Sequence, residues 1–86
     1  MRGFRWNELK NERLRRIRGV SFDEITKAKL LNIEEHPARP DQRIMLFEHK
    51  GYVWVVPCVQ HGDELFLKTL YPSRKYTKLY RRGQWP

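Results

Sequence analysis

The sequence predicts an α+β fold: two N-terminal helices, a three- to four-stranded antiparallel meander and a C-terminal helix. Three observations carry this prediction. Helix-capping residues stand before three segments of helical character, at Asn7, Ser21 and Ser73. Between the second and third of these lie β-rich runs separated by two tight turns, Lys50-Gly51 and His61-Gly62-Asp63. Pro37 and Pro40 interrupt regular structure between the helical and β-rich halves.

The first helix is expected over Glu8–Arg18, with Asn7 as N-cap and Gly19 as the residue that stops it. At about 100° per residue, Trp6, Leu9, Leu14 and Ile17 fall in one apolar sector, which should face the core. Lys10 and Arg13 fall in that sector too. Either they snorkel past the rim of the core, or the sector lines a cleft that takes phosphate. Ser21-Phe22-Asp23-Glu24 is a capping box, opening a second helix that runs to about Leu31. Residues 32–42 read as a loop. Strands follow over Arg43–His49, over Tyr52–Gln60, which is rich in valine and aromatic residues, and over Glu64–Leu70. Pro57 inside the second predicts a bulge or an unpaired amide. Ser73 caps a last helix from Arg74 to about Arg82, ended by Gly83. The helices should pack on one side of the sheet.

At 86 residues the chain is expected to form one domain. Its net charge is +8, and the placement of that charge matters more than its size. Residues 1–20 hold seven basic side chains and two acidic ones; residues 68–86 hold six basic and none acidic. The stretch between them is net −3. Segregated positive charge is the footprint of a polyanion partner, RNA above all. No apolar run approaches the roughly 20 residues needed to span a bilayer, and the start lacks a signal peptide, so a cytoplasmic protein without a membrane partner is expected.

Several chemistries find no support. There is no glycine-rich phosphate loop, and Cys58 is the single cysteine, expected in the core. Three scattered histidines make a poor metal site, and no cofactor is expected. A metal-free ribonuclease stays open to such a chain, because RNA supplies its own nucleophile, the 2′-OH. The protein then needs only a base, an acid and cations for the phosphorane. Lys68 lies on the third strand, Arg74 and Lys75 open the last helix, and Tyr76 and Tyr80 are i, i+4 partners on it. For each of these candidates the alternative is an ordinary surface cation or a half-buried aromatic. His49 and His61 border turns and are second-rank proton carriers, with His36 weaker still.

Two segments resemble the BrnT-like toxins. Trp6-Asn7, Lys10 and Arg18-Gly19-Val20-Ser21-Phe22-Asp23-Glu24 are similar to that family's N-terminal signature, and Pro72-Ser73-Arg74-Lys75 with Thr77 to its C-terminal Ser-Ala-Arg-Lys-Ala-Thr segment. The family resembles the RelE superfamily of ribonuclease toxins, the toxic halves of type II toxin–antitoxin pairs. The resemblance implies metal-independent cleavage of mRNA, free or on the ribosome, and a block on translation. It also implies a small antitoxin, often of ribbon-helix-helix type, and operator DNA met only through the toxin–antitoxin complex. By position, Lys10 and Arg74 are the best-matched functional residues. Arg18 stands where many members have histidine, and Lys68 where many have arginine.

The catalytic candidates are therefore Lys10, Lys68, Arg74, Tyr80 and His49. Arg13, Arg15, Arg18, Lys75, Lys78, Arg81 and Arg82 are candidates for gripping RNA. Two readings from other classes stand beside this one: a non-catalytic RNA- or DNA-binding module or regulator, and a protein whose basic faces receive an acidic partner.

Overall fold

The computed structural model describes residues 3–83; Arg2, part of the N-terminal charge, lies outside them. The element order is β1 (Gly3–Arg5), α1 (Glu8–Arg18), α2 (Phe22–Ile25), β2 (Lys29–Glu35), β3 (Gln42–His49), β4 (Tyr52–His61), β5 (Glu64–Leu67), β6 (Tyr71–Pro72) and α3 (Arg74–Arg81). Caps set the helices where the sequence places them. Asn7 accepts the Lys10 amide at the start of α1, and Gly19 closes it at φ 74°, a left-handed conformation that suits glycine. The Ser21–Glu24 capping box forms as read, and Ser73 caps α3.

The predicted fold class needs correction. The meander β3-β4-β5 is present, but it is the centre of a six-stranded sheet ordered β1-β5-β4-β3-β2, with β6 also on β4. That sheet is mixed, because β1 runs parallel to β5, pairing Phe4 with Leu65. The second helix is a single turn, and residues expected in its latter half and in the loop form β2, antiparallel to β3. Nor do the helices share one side. One core layer joins Leu14 of α1 and Phe22 and Ile25 of α2 to Met45, Phe47, Trp54 and Val56. On the opposite face, Leu46, Val53 and Val55 pack against Tyr76 and Tyr80 of α3.

The inward face of α1 also departs from expectation. Leu9 is 84% and Ile17 69% exposed, while Asn11 and Leu14 are buried. Asn11 turns inward because its amide is needed there: Oδ1 accepts the buried Phe22 N–H at 2.7 Å and Nδ2 donates to Asp23 at 2.8 Å. A polar residue thus staples α1 to α2.

The β3–β4 hairpin turns through Lys50 (φ 54°) and Gly51 (φ 80°), the two positive values of a type I′ turn. Pairing of β3 with β4 runs unbroken from Gln42↔Val59 to His49↔Tyr52, so Pro57 makes no bulge. Its carbonyl accepts the Lys68 N–H at 2.9 Å, and its missing N–H faces the same edge, just past the end of the β5 ladder. Farther along that edge, Ser73 N–H donates to the Val53 carbonyl and Val53 N–H donates to Thr77 Oγ1, both at 2.9 Å. The start of α3 therefore completes the hydrogen bonding of β4.

Tyr76 ties α3 to β2 by donating its hydroxyl to Glu34 at 3.1 Å. Burial, and then this bond to a carboxylate, push the Tyr76 hydroxyl pKa up. A raised folded-state pKa stabilises the fold below the ordinary value of about 10, and that contribution is lost as pH rises through the raised value. Tyr76→Phe should accordingly lose stability less steeply than the parent protein between pH 9 and 11, measured by urea midpoints. Parallel curves would show that the bond contributes nothing.

Candidate functional site

The start of α1 is placed by β1. Phe4 and Arg5 lie alongside Leu65 and Phe66, Arg5 pairs with Glu64 at 2.8 Å, and Trp6 stacks on Phe22 with ring centres 5.6 Å apart. This brings the first turns of α1 to the end of β5, and a cleft of about 380 Å³ opens between them. Lys10 and Arg13 contribute from α1, Phe66 from β5 and Lys68 from just past its end, since the strand expected to reach Leu70 stops at Leu67, and no carboxylate lines the cleft. Lys10 is half-buried, whereas Arg13 and Lys68 are exposed. Among the described residues, none of the three is in an ion pair.

Arg74 stands elsewhere. With His49, Lys50, Tyr52, Trp54, Val20 and Pro72 it lines a cleft of about 430 Å³ beside the β3–β4 turn. It also lines a neighbouring cleft of about 340 Å³ with Tyr52, Thr77, Lys78 and Arg81. The best-matched functional candidates, Lys10 and Arg74, are thus in separate clefts. Lys10, Arg13 and Lys68 share a site, while Arg74 and His49 share another.

The remaining candidates are spread over the surface. Tyr80 packs on the face of the sheet opposite α1. Lys75 lies over the Tyr76 ring at 5.7 Å. Arg15 is held by Glu12 and, at 3.4 Å, by Asp23; Arg18 and Arg82 are exposed. Arg81 donates to the Gly51 carbonyl at 3.0 Å and sits 5.7 Å from the centre of the Tyr52 ring, which ties the end of α3 to the hairpin turn. Sequence reading missed Tyr52, Trp54 and Phe66 as lining residues. A tyrosine directly after a Lys-Gly turn was the available signal for the first.

Cys58 is buried, its thiol donates to the Arg43 carbonyl at 3.4 Å, and burial pushes its pKa up. It is a core residue rather than a nucleophile. His49 Nε2 lies 3.8 Å from a Glu24 oxygen, too far for a hydrogen bond. That nitrogen and the Trp54 indole N–H are buried without a hydrogen-bond partner among the described residues. No helix among those residues is long and apolar enough to cross a membrane, and no three of their His, Cys, Asp or Glu side chains cluster as metal ligands.

No family model matches the chain, and no curated protein sequence matches it. Its architecture is similar to the crystal structure of the ribonuclease toxin BrnT of Brucella abortus, with a TM-score of 0.55 at 18% identity. The likeness covers 85% of this chain and 97% of that one. The mixed sheet, its flanking helices and its two cationic sites are therefore carried on a BrnT-like fold.

Proposed function

We propose that this chain is an endoribonuclease toxin of a type II toxin–antitoxin pair, cutting mRNA in the cytoplasm without a metal and so stopping translation. The observation that carries the proposal is the carboxylate-free cleft of Lys10, Arg13 and Lys68 on a fold shared with a ribonuclease toxin. In the proposed reaction the 2′-oxygen attacks phosphorus, its proton passes to a base, and the P–O5′ bond breaks as O5′ takes a proton. The products are a 2′,3′-cyclic phosphate and a 5′-hydroxyl. Cations stabilise the extra negative charge of the phosphorane, the step where fixed positive charge counts most.

In this reading Lys68 and Arg74 stabilise phosphate charge, Lys10 acts as a cation or base, and His49 and Tyr80 are candidates for moving protons. Because Lys68 and Arg74 line different clefts, a substrate that engages both must run between them. An extended single strand does this. Arg13, Arg18, Lys78, Arg81 and Arg82 grip its backbone, as sequence-independent contacts do. A small antitoxin, proposed as ribbon-helix-helix in type, neutralises the toxin and carries the complex to operator DNA.

Induced expression in bacteria tests the proposal. Growth should arrest, and Lys10→Ala or Arg74→Ala, with circular dichroism unchanged, should relieve the arrest. Normal growth, together with purified protein that binds RNA with a steep salt dependence but leaves it intact, would establish a binding module instead.

A further inference from the structure

The two clefts that meet at Arg74 differ in chemistry. The larger has an apolar floor of Val20, Trp54 and Pro72, with His49 and Tyr52 alongside. Its volume of about 430 Å³ lies within the roughly 300–1,000 Å³ of small-molecule sites. The smaller gathers three cations, Arg74, Lys78 and Arg81, and no carboxylate lines either. Tyr52 and Arg74 line both clefts, so an aromatic pocket adjoins a phosphate pocket.

We infer that this pair of clefts is a single-nucleotide subsite, with the base against Tyr52 over the Trp54 floor and its phosphate among Arg74, Lys78 and Arg81. Tyr52 is 40% exposed and yet held in place, since Arg81 sits over its ring and bonds the turn beside it. A fixed, exposed ring is a stacking platform that loses little freedom when a base arrives. Buried polar groups are ordinarily satisfied, yet the Trp54 N–H and His49 Nε2, both on cleft residues, have no hydrogen-bond partner within the described chain. A bare phosphate or ribose would leave the apolar floor uncovered, so the subsite selects a nucleotide and gives the strand one preferred base position.

The inference rests on the reading of the chain as an RNA-acting protein, and mononucleotide titration separates the two. Adenosine and uridine 5′-monophosphates, ribose 5-phosphate and inorganic phosphate would each be titrated into the full chain, followed by calorimetry and by the Trp54 indole N–H resonance. The better nucleotide should bind roughly 5- to 150-fold more tightly than ribose 5-phosphate, the range that stacking of one base supplies. It should shift the Trp54 resonance, as ribose 5-phosphate should not. Tyr52→Ala should remove the difference, Tyr52→Phe should keep it, and Arg74→Ala should weaken nucleotide and ribose 5-phosphate alike. Equal affinities, or base-dependent shifts that spare Trp54, overturn the subsite even if Tyr52→Ala proves unfolded. Protein that leaves RNA uncut but shows the difference keeps the subsite and loses the ribonuclease. Protein that cuts RNA and shows no difference does the reverse.

Discussion

Lys68→Ala is expected to slow RNA cleavage by roughly 10²–10³-fold, the usual cost of removing one group that stabilises transition-state charge. The side chain is exposed and stands in the cleft opposite Lys10 and Arg13. Its main chain is held independently, by the bond from the Lys68 N–H to the Pro57 carbonyl. The substitution therefore removes charge without loosening the strand, and thermal stability should stay within a degree or two of the parent. Lys68→Arg should recover much of the rate, since the cation returns, though with different reach and geometry. Arg82→Ala makes the control, because a backbone grip should lower affinity across sequences and reduce the salt slope by about one while sparing the rate at saturation. Single-turnover cleavage of a labelled single strand reads all three. An unchanged rate for Lys68→Ala would remove this cleft from the chemistry.

The second large effect is on stability. Asn11→Ala should destabilise the fold by roughly 1–3 kcal/mol, because Asn11 is fully buried and its loss leaves the Phe22 N–H without an acceptor. In a chain of 86 residues each kcal/mol moves the melting temperature by about 4–8 °C, so the loss should be plain in a thermal scan. Asn11→Asp separates packing from charge. It keeps an oxygen for Phe22 but sets a second carboxylate beside Asp23, so its deficit should be large at neutral pH and shrink as the medium turns acid. A melting temperature unchanged in Asn11→Ala would show that α1 and α2 are not joined through this side chain.

Local chemistry was legible in the sequence wherever a side chain acts on its own neighbourhood. Asn7, Gly19, Ser21 with Glu24, and Ser73 each mark a helix end through a bond spanning a few residues, and each stands where it was expected. The β3–β4 turn was legible for the same reason. What sequence reading missed depends on distant contacts. β1 is three residues long, too short for any periodicity, and exists through pairing with a strand some sixty positions away. β2 was hidden differently: its register shifts between Leu30 and Asn32, which breaks the alternation that marks a strand and leaves a spacing that resembles a helix. On α1 the apolar sector misled because Asn11, chosen for a bond to α2, takes the inward position while Leu9 and Ile17 stay outside. The candidate site divided for a related reason. Positive charge at both chain ends was visible, but no pattern in the sequence tells which cleft each cation reaches.

The same irregularity of β2 bears on how this molecule meets other proteins. An open sheet edge is a template on which another strand can form, and both edges here are poor templates. One is β2, broken by its bulge and carrying Lys29, Glu34 and Glu35; the other is β1, only three residues long. Among the described residues, neither edge therefore offers a long, flat row of free backbone groups to a strand of another copy.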